Sequence, residues 1–304
     1  MSALISILTI YFFIIIGYVA KKIFRDDISE KTLILISIYF LQPILTFWGL
    51  TRIPIDFNLI YTPFVYFITI TIILILLYIL APYIFNEKKE QSIFIVTSLI
   101  GNTGNLGIPL GIALFGEGSI AYTSIINIAN IFFIYTVGIY FFAREKYTPK
   151  QTIDTLIKIP ILWFAIFALI YNYLGFSIDP NINRALEMGA YAAIVLQLVI
   201  FGIYLSKIDI KKQNHKLIFA TSSIKLLVLP ISGIVVSILM GLEPYVASVL
   251  VISLATPLAV NNVNNAALFD CKPNDVTNII LISTLLFLVV FYFDLKIVNM
   301  VFGN

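Results

Sequence analysis

Ten long apolar stretches occupy most of this sequence of 304 residues and restrict the folds that it can adopt. A helix needs about 20 predominantly apolar residues to cross the hydrocarbon core of a bilayer. The stretches lie at roughly 2–20, 29–49, 60–82, 91–115, 118–142, 153–174, 181–205, 216–240, 245–268 and 275–298. They predict an all-α polytopic membrane protein with ten transmembrane helices and no separate soluble domain.

The composition agrees with this prediction and excludes several classes of function. Hydrophobic residues make up 60% of the chain and charged residues 12%, about half the fraction usual in soluble domains. The formal net charge of +3 argues against nucleic acid or another anionic polymer as a partner. Because the sequence has one cysteine, Cys271, and one histidine, His215, it offers no evident metal or nucleophilic site. We therefore expect no metal, no cofactor and no enzymatic activity.

The basic residues are distributed unevenly between the two sides of the predicted bundle. With the N-terminus outside, the cytoplasmic side receives 15 of the 19 Lys and Arg residues, and the outer side receives Arg52, Arg184 and Lys296. The remaining one, Lys225, lies inside the eighth stretch. Positive loops stay on the cytoplasmic side. This bias predicts a multi-pass protein of the inner or plasma membrane, with both termini on the non-cytoplasmic side.

The two halves of the chain resemble each other. Residues 113–133 and 267–287, separated by an offset of 154, share eight identities, including an Ala-Leu-Phe triplet at a helix end. We interpret 1–142 and 153–304 as two five-helix repeats, joined by a cytoplasmic linker at 143–152. An odd number of helices per repeat inverts the second copy, which is typical of secondary transporters. Coincidence within low-complexity apolar sequence is the alternative.

The fourth and ninth stretches contain residues that disfavour a continuous helix. Three glycines, two asparagines and a proline fall within 101–109, and one proline and four asparagines fall within 255–265. Glycine and proline let a helix unwind, and the freed backbone groups must then face protein or a water-filled cavity. The offset of 154 carries 103–109 onto 257–263, and interruptions at matching positions indicate a transport site. Two proline kinks stabilised by polar neighbours are the alternative.

Each predicted break places two kinds of helix end near the middle of the membrane. The half-helices that begin there would present positive N-termini, which favour an anion. The half-helices that end there would present negative C-termini, which could suit a cation instead. The sequence leaves both possibilities open.

A few further polar residues are predicted to lie deep in the membrane. Lys225 lies about 15 Å from the cytoplasmic end of its helix, and no acidic residue is expected at that depth. The depth of Lys225 favours a functional cation at this position, and the absence of an acidic residue at the same depth argues against cation exchange. Lys225 could instead cap backbone carbonyls of the breaks. Gln42, Asn127, Asn130 and Gln197 should face the bundle interior, as pathway residues or as interhelical hydrogen-bond partners.

The ordered motifs of the whole chain resemble those of the auxin efflux carrier family, which includes PIN-type and bacterial malate or malonate carriers of the bile acid/arsenite/auxin transporter superfamily. The resemblance rests on short segments in order along the chain: Gly17–Lys22, Leu41–Leu45, Gly104–Leu110, Leu114–Gly116, Lys225–Pro230, Thr256–Ala259 and Ile282–Leu286. The chain departs from many relatives at Ile194, eight residues before Gly202, where they carry proline.

The resemblance implies two inverted five-helix repeats, with helices 4 and 9 broken and crossing at the midplane. It implies a scaffold of helices 1, 2, 6 and 7 and a transport domain of helices 3–5 and 8–10. It also implies elevator-like alternating access, a homodimer, and small organic anions as cargo.

These observations predict a secondary carrier of small organic anions, such as carboxylates or auxin-like acids, embedded in the lipid bilayer. A sodium-coupled symporter or cation/proton antiporter of the bile-acid-symporter-like, crossed-helix type is the alternative. The candidate substrate-binding residues come from the breaks and from the other deep polar positions: Gln42, Asn102, Thr103, Asn105, Pro109, Asn127, Asn130, Gln197, Lys225, Pro257, Asn261 and Asn262.

Overall fold

The computed structural model describes residues 2–143, 148, 150–151, 154, 157–206, 214–259 and 261–303. For residues 2–10, 261 and 264, only the backbone is described. The regular structure of these ranges is helical, apart from one isolated bridge between two backbone segments. The predicted linker at 143–152 and the start of the sixth stretch lie largely outside the described residues.

Helices fall within every predicted stretch, and the fourth and ninth stretches are each divided in two. The helices are α1 (Ser2–Phe24), α2 (Glu30–Leu50), α3 (Phe57–Ile84), α4 (Lys88–Thr97), α5 (Thr103–Phe115), α6 (Ser119–Ala143), α7 (Pro160–Tyr173), α8 (Pro180–Leu205), α9 (His215–Leu239), α10 (Pro244–Ala255), α11 (Asn261–Leu268) and α12 (Pro273–Phe302).

Six helices of the described part are long and apolar enough to cross a membrane: α2, α3, α6, α8, α9 and α12. Shorter apolar helices, α5, α7 and α10, accompany them. The prediction of an all-α, multi-pass membrane protein is therefore confirmed at this level.

Acidic side chains and prolines fix where several helices begin. Asp56 accepts a hydrogen bond from an amide of the first turn of α3, and Asp179 and Glu243 do the same for α8 and α10. Pro180 and Pro244 follow directly, at the helix position where a missing N–H is tolerated. Such caps satisfy backbone donors that the helix itself leaves free, and they permit short loops.

Wide turns closed by hydrogen bonds from residue i to residue i−5 interrupt three helices and begin a fourth, α5. They lie at Ser37–Leu41, Thr103–Gly107, Ile134–Gly138 and Ile224–Val228. In three cases a proline stands at the second residue after the turn, and its ring and missing N–H disfavour the regular ladder. Wide turns are frequent at functional sites, and these three carry or adjoin candidate residues.

The helices pack in two groups. In one, α1 packs along α8, and α2 packs against both α7 and α8. In the other, α3 packs against α4, α6 and α9, while α10 packs against α6, α9 and α12. The groups meet where α1, α2 and α8 contact α5 and α6.

The contact between α1 and α8 is close enough to require glycine. A methyl group at Gly17 would collide with the carbonyl of Val199, and one at Gly202 would collide with the carbonyl of Ile14. Small residues at a crossing let two membrane helices approach closely and gain packing contacts. Both glycines therefore hold the first group of helices together.

Candidate functional site

The two helix breaks contact each other directly through their backbones. Gly101 and Leu258 form an isolated antiparallel bridge. The amide of Asn102 donates to the carbonyl of Pro257 at 2.9 Å, and the amide of Ala259 donates to the carbonyl of Ile100 at 3.4 Å. Backbone groups freed by the breaks cannot be left without partners in a membrane. Each break therefore supplies hydrogen-bond partners for the other.

A chain of buried side-chain hydrogen bonds surrounds the first break. The Asn130 amide nitrogen donates to the carbonyl of Gly101 and to the hydroxyl of Thr103, both at 2.9 Å. The Thr103 hydroxyl donates to Asn127 Oδ1 at 2.9 Å, and the Tyr66 hydroxyl donates to Asn130 Oδ1 at 3.0 Å. Helices α3 and α6 thereby hold the start of α5 in place.

These polar groups enclose a cavity of about 40 Å³. Its lining includes six candidate residues from the sequence: Gln42, Asn102, Thr103, Asn105, Asn127 and Asn130. It also includes Gly101, Gly104, Ile131, Ile134 and Ala259. The volume suffices for only a few water molecules in this conformation.

The cavity lies at the N-terminus of α5. Thr103, Gly104 and Asn105 are the first three residues of that helix, and all three line the cavity. The first amides of a helix have no partner within it, and the helix dipole is positive at this end. Asn102, 3% exposed, adds a side-chain nitrogen without a hydrogen-bond partner in the described part of the chain. The arrangement provides donors and positive potential for an anion.

The second break contributes fewer completed hydrogen bonds. Asn262 is fully buried and donates to the carbonyl of Ala259 at 3.0 Å, while its Oδ1 has no partner among the described atoms. Asn265 is also buried, with an amide nitrogen equally without a partner there. Pro257 participates through its carbonyl in the bridge. The side chain of Asn261 lies outside the described residues.

Lys225 reaches the crossing from α9. Its side chain is 1% exposed, and Nζ donates to the carbonyl of Leu254 at 3.0 Å. A Cβ atom at Gly101 would lie 2.7 Å from this Nζ and 2.8 Å from the hydroxyl of Thr256. Lys225 is not among the residues that line the cavity. The side chain therefore contacts the backbone of both breaks without entering the cavity.

The remaining candidates differ in how they relate to this site. Gln42 lines the cavity, and its amide nitrogen lies 3.5 Å from the hydroxyl of Ser37. Gln197 is buried in α8, which packs against the start of α5, but it does not line the cavity. Pro109 is buried in the first regular turn of α5, directly after the wide turn. It does not line the cavity.

Two buried polar residues were missed by the sequence reasoning. Tyr66 is 1% exposed, and its hydroxyl donates a hydrogen bond to Asn130. Its spacing from the buried residues Thr62 and Thr69 marks one polar face of α3, a signal that the sequence did contain. Asp294 in α12 is only 5% exposed, and its Oδ2 has no partner among the described residues.

Comparison with known proteins supports the same interpretation. The model of the family described as "Membrane transport protein" matches residues 2–155 and 148–293. An uncharacterized transporter from Methanocaldococcus jannaschii is 26% identical over 288 residues, which cover 91% of this chain and 93% of that protein. The chain is thus a member of the membrane transport protein family, the auxin efflux carrier and PIN-type family that its motifs resemble.

Proposed function

We propose that this membrane transporter is a secondary carrier of small organic anions, such as carboxylates or auxin-like acids. The observation that carries the proposal is the polar cavity at the N-terminus of α5, where the two breaks are bridged. Amides and asparagine nitrogens there offer hydrogen-bond donors, and among the described residues no acidic side chain lines the cavity. Such a site favours an anion over a cation.

We propose that the chain forms two inverted five-helix repeats, 1–142 and 153–304, and moves its cargo by an elevator-like mechanism. The packing supports a scaffold of α1, α2, α7 and α8 that stays fixed while the other helices move. A cavity of about 40 Å³ is too small for a carboxylate of several carbons, so entry requires the two groups to separate. The family resemblance supports a homodimer, and the distribution of basic residues supports both termini on the non-cytoplasmic side.

The test is uptake into proteoliposomes of radiolabelled mono- and dicarboxylates and of an indole acid. We expect wild-type protein to take up at least one of these acids by saturable kinetics. Asn130→Ala should reduce uptake at least tenfold, because it removes the bonds to Gly101 and Thr103. The matched control is Asn299→Ala, which alters an exposed asparagine of α12 and should leave uptake unchanged.

Each arm can contradict the proposal. No saturable uptake of any acid would reject the substrate class, and equal uptake by the two variants would reject the site. Uptake that occurs only with an inward sodium gradient would favour the sodium-coupled alternative.

A further inference from the structure

The ammonium group of Lys225 lies against the broken end of α10. It donates to the carbonyl of Leu254, which stands one residue before the end of that helix at Ala255. The last carbonyls of a helix have no partner within it, and they carry the negative end of its dipole. In the part of the chain that the structure describes, no carboxylate forms an ion pair with Lys225.

The backbone of the first break, at Gly101, also lies close to the Lys225 ammonium group. Gly101 follows the C-terminal end of α4, and a Cβ atom there would approach Nζ to 2.7 Å and the Thr256 hydroxyl to 2.8 Å. Glycine at position 101 thus leaves the space that the ammonium occupies. The negative C-terminal end of α10, at Ala255, lies in this region. Carbonyl and hydroxyl oxygens are ligands that suit a small cation.

The ammonium and the anion-favouring cavity both adjoin Gly101, but Lys225 is not part of the cavity lining. The crossing therefore has two electrostatic environments. One is formed by the N-terminus of α5, and the other is formed by the C-terminus of α10 and is already filled by a side chain.

We propose that the Lys225 ammonium occupies a monovalent-cation site at the helix crossing, so that the protein binds no free Na⁺ or K⁺ there. Lys225→Ala would vacate the site and leave space for an exogenous primary ammonium ion. The proposal depends on the geometry of the crossing, and it holds whatever solute the protein carries.

The test measures apparent melting temperatures of purified wild type and Lys225→Ala in chloride salts of equal ionic strength. The cations are Na⁺, K⁺, choline, n-propylammonium, which replaces the removed atoms, and tetramethylammonium, which has no N–H donor. The wild type should melt at the same temperature in every salt. Lys225→Ala should melt lower in choline and should be stabilised saturably by propylammonium, by about 3 °C, but not by tetramethylammonium.

Saturable stabilisation of the wild type by Na⁺ or K⁺, with a midpoint that Lys225→Ala shifts, would overturn the proposal, because it would place a free cation at the crossing beside Lys225. Absence of rescue of Lys225→Ala by propylammonium would also overturn it. If Lys225→Ala does not survive purification, its detergent extract is compared in propylammonium and in choline. The monodisperse fraction should then be larger in propylammonium. The melting experiment measures no transport. Its failure would therefore not contradict the proposed carrier function, and a failure of the uptake experiment would not contradict the proposed role of Lys225.

Discussion

Replacing Tyr66 by phenylalanine tests whether the hydrogen-bond chain around the first break stabilises the fold. The substitution removes one hydroxyl from a side chain that is 1% exposed and leaves the ring in place. That hydroxyl donates to Asn130 Oδ1 at 3.0 Å. Asn130 in turn binds the Gly101 carbonyl and Thr103, so the loss reaches the break itself.

The expected loss of stability follows from the buried acceptor that loses its donor when the hydroxyl is removed. Interhelical hydrogen bonds inside membranes contribute about 0.6 kcal/mol on average and up to about 1.7 kcal/mol. A buried acceptor left without its donor costs about 1–3 kcal/mol. Because Asn130 Oδ1 would become such an acceptor, we expect a loss of about 1–2 kcal/mol. For a chain of this size that lowers the apparent melting temperature by roughly 2–6 °C.

The assay is thermal unfolding in detergent at a fixed scan rate, with Tyr78→Phe as the matched control. Tyr78 lies on the same helix and is 64% exposed, so its hydroxyl should matter little. A double-mutant cycle with Asn130→Ala should give a coupling free energy of about 1 kcal/mol, because the two residues share one bond. Equal melting temperatures of the two tyrosine variants, or full additivity in the cycle, would refute the reasoning.

Three further substitutions probe other parts of the fold. Gly202→Ala drives a methyl group into the backbone of α1 and should abolish monodisperse protein in size-exclusion chromatography, whereas Gly118→Ala meets only a tyrosine hydroxyl at 3.3 Å and should be tolerated. Gly101→Ala should lower the melting temperature through a loss of about 1–3 kcal/mol, since the new methyl group overlaps the Lys225 ammonium; an unchanged value would contradict this placement. Lys272→Met removes a partly exposed ion pair with Glu87 and Glu90 and should cost at most about 1 kcal/mol by urea unfolding, a loss that Lys296→Met should not reproduce.

The ion pair at Lys272 also fixes the direction of its pH dependence. Desolvation lowers the pKa of Lys272, but the hydrogen bonds and charges of Glu87 and Glu90 outweigh it and raise this pKa above its ordinary value. The stabilisation is therefore present below the pKa of lysine in the unfolded chain and is lost as the pH rises through the raised value. At and above neutral pH, the difference between wild type and Lys272→Met should therefore shrink as the buffer becomes strongly alkaline.

The sequence predicted the helices and the two breaks because both follow from local chemistry. An apolar run of sufficient length becomes a membrane helix, and glycine and proline residues such as those at 101–109 and 257 favour an interruption of it. Six of the twelve candidate residues line one cavity for the same reason, since asparagine and threonine beside a break must find polar partners.

The contacts that the sequence did not predict join segments that lie far apart in the chain. Tyr66 stands 64 residues from Asn130 in the chain, and nothing near either residue indicates that they meet. Lys225 was expected beside the candidate substrate, yet its bond to Leu254 comes from the packing of α9 on α10. Gln197 was expected to face the pathway or to form an interhelical hydrogen bond; it is buried in α8 and does not line the cavity.

The unmatched amide groups at the crossing explain why the breaks carry so many asparagines. The bridge uses the backbone of 100, 102, 257 and 259, and Asn130 satisfies the carbonyl of Gly101. Among the described residues, however, Asn102 Nδ2, Asn262 Oδ1 and Asn265 Nδ2 remain buried without partners. Each such group costs about 1–3 kcal/mol, a loss that a purely structural kink would avoid with apolar side chains. Of these three residues, Asn102 lines the cavity, and a bound acceptor-rich anion there would recover part of this free energy, which supports the proposed ligand site.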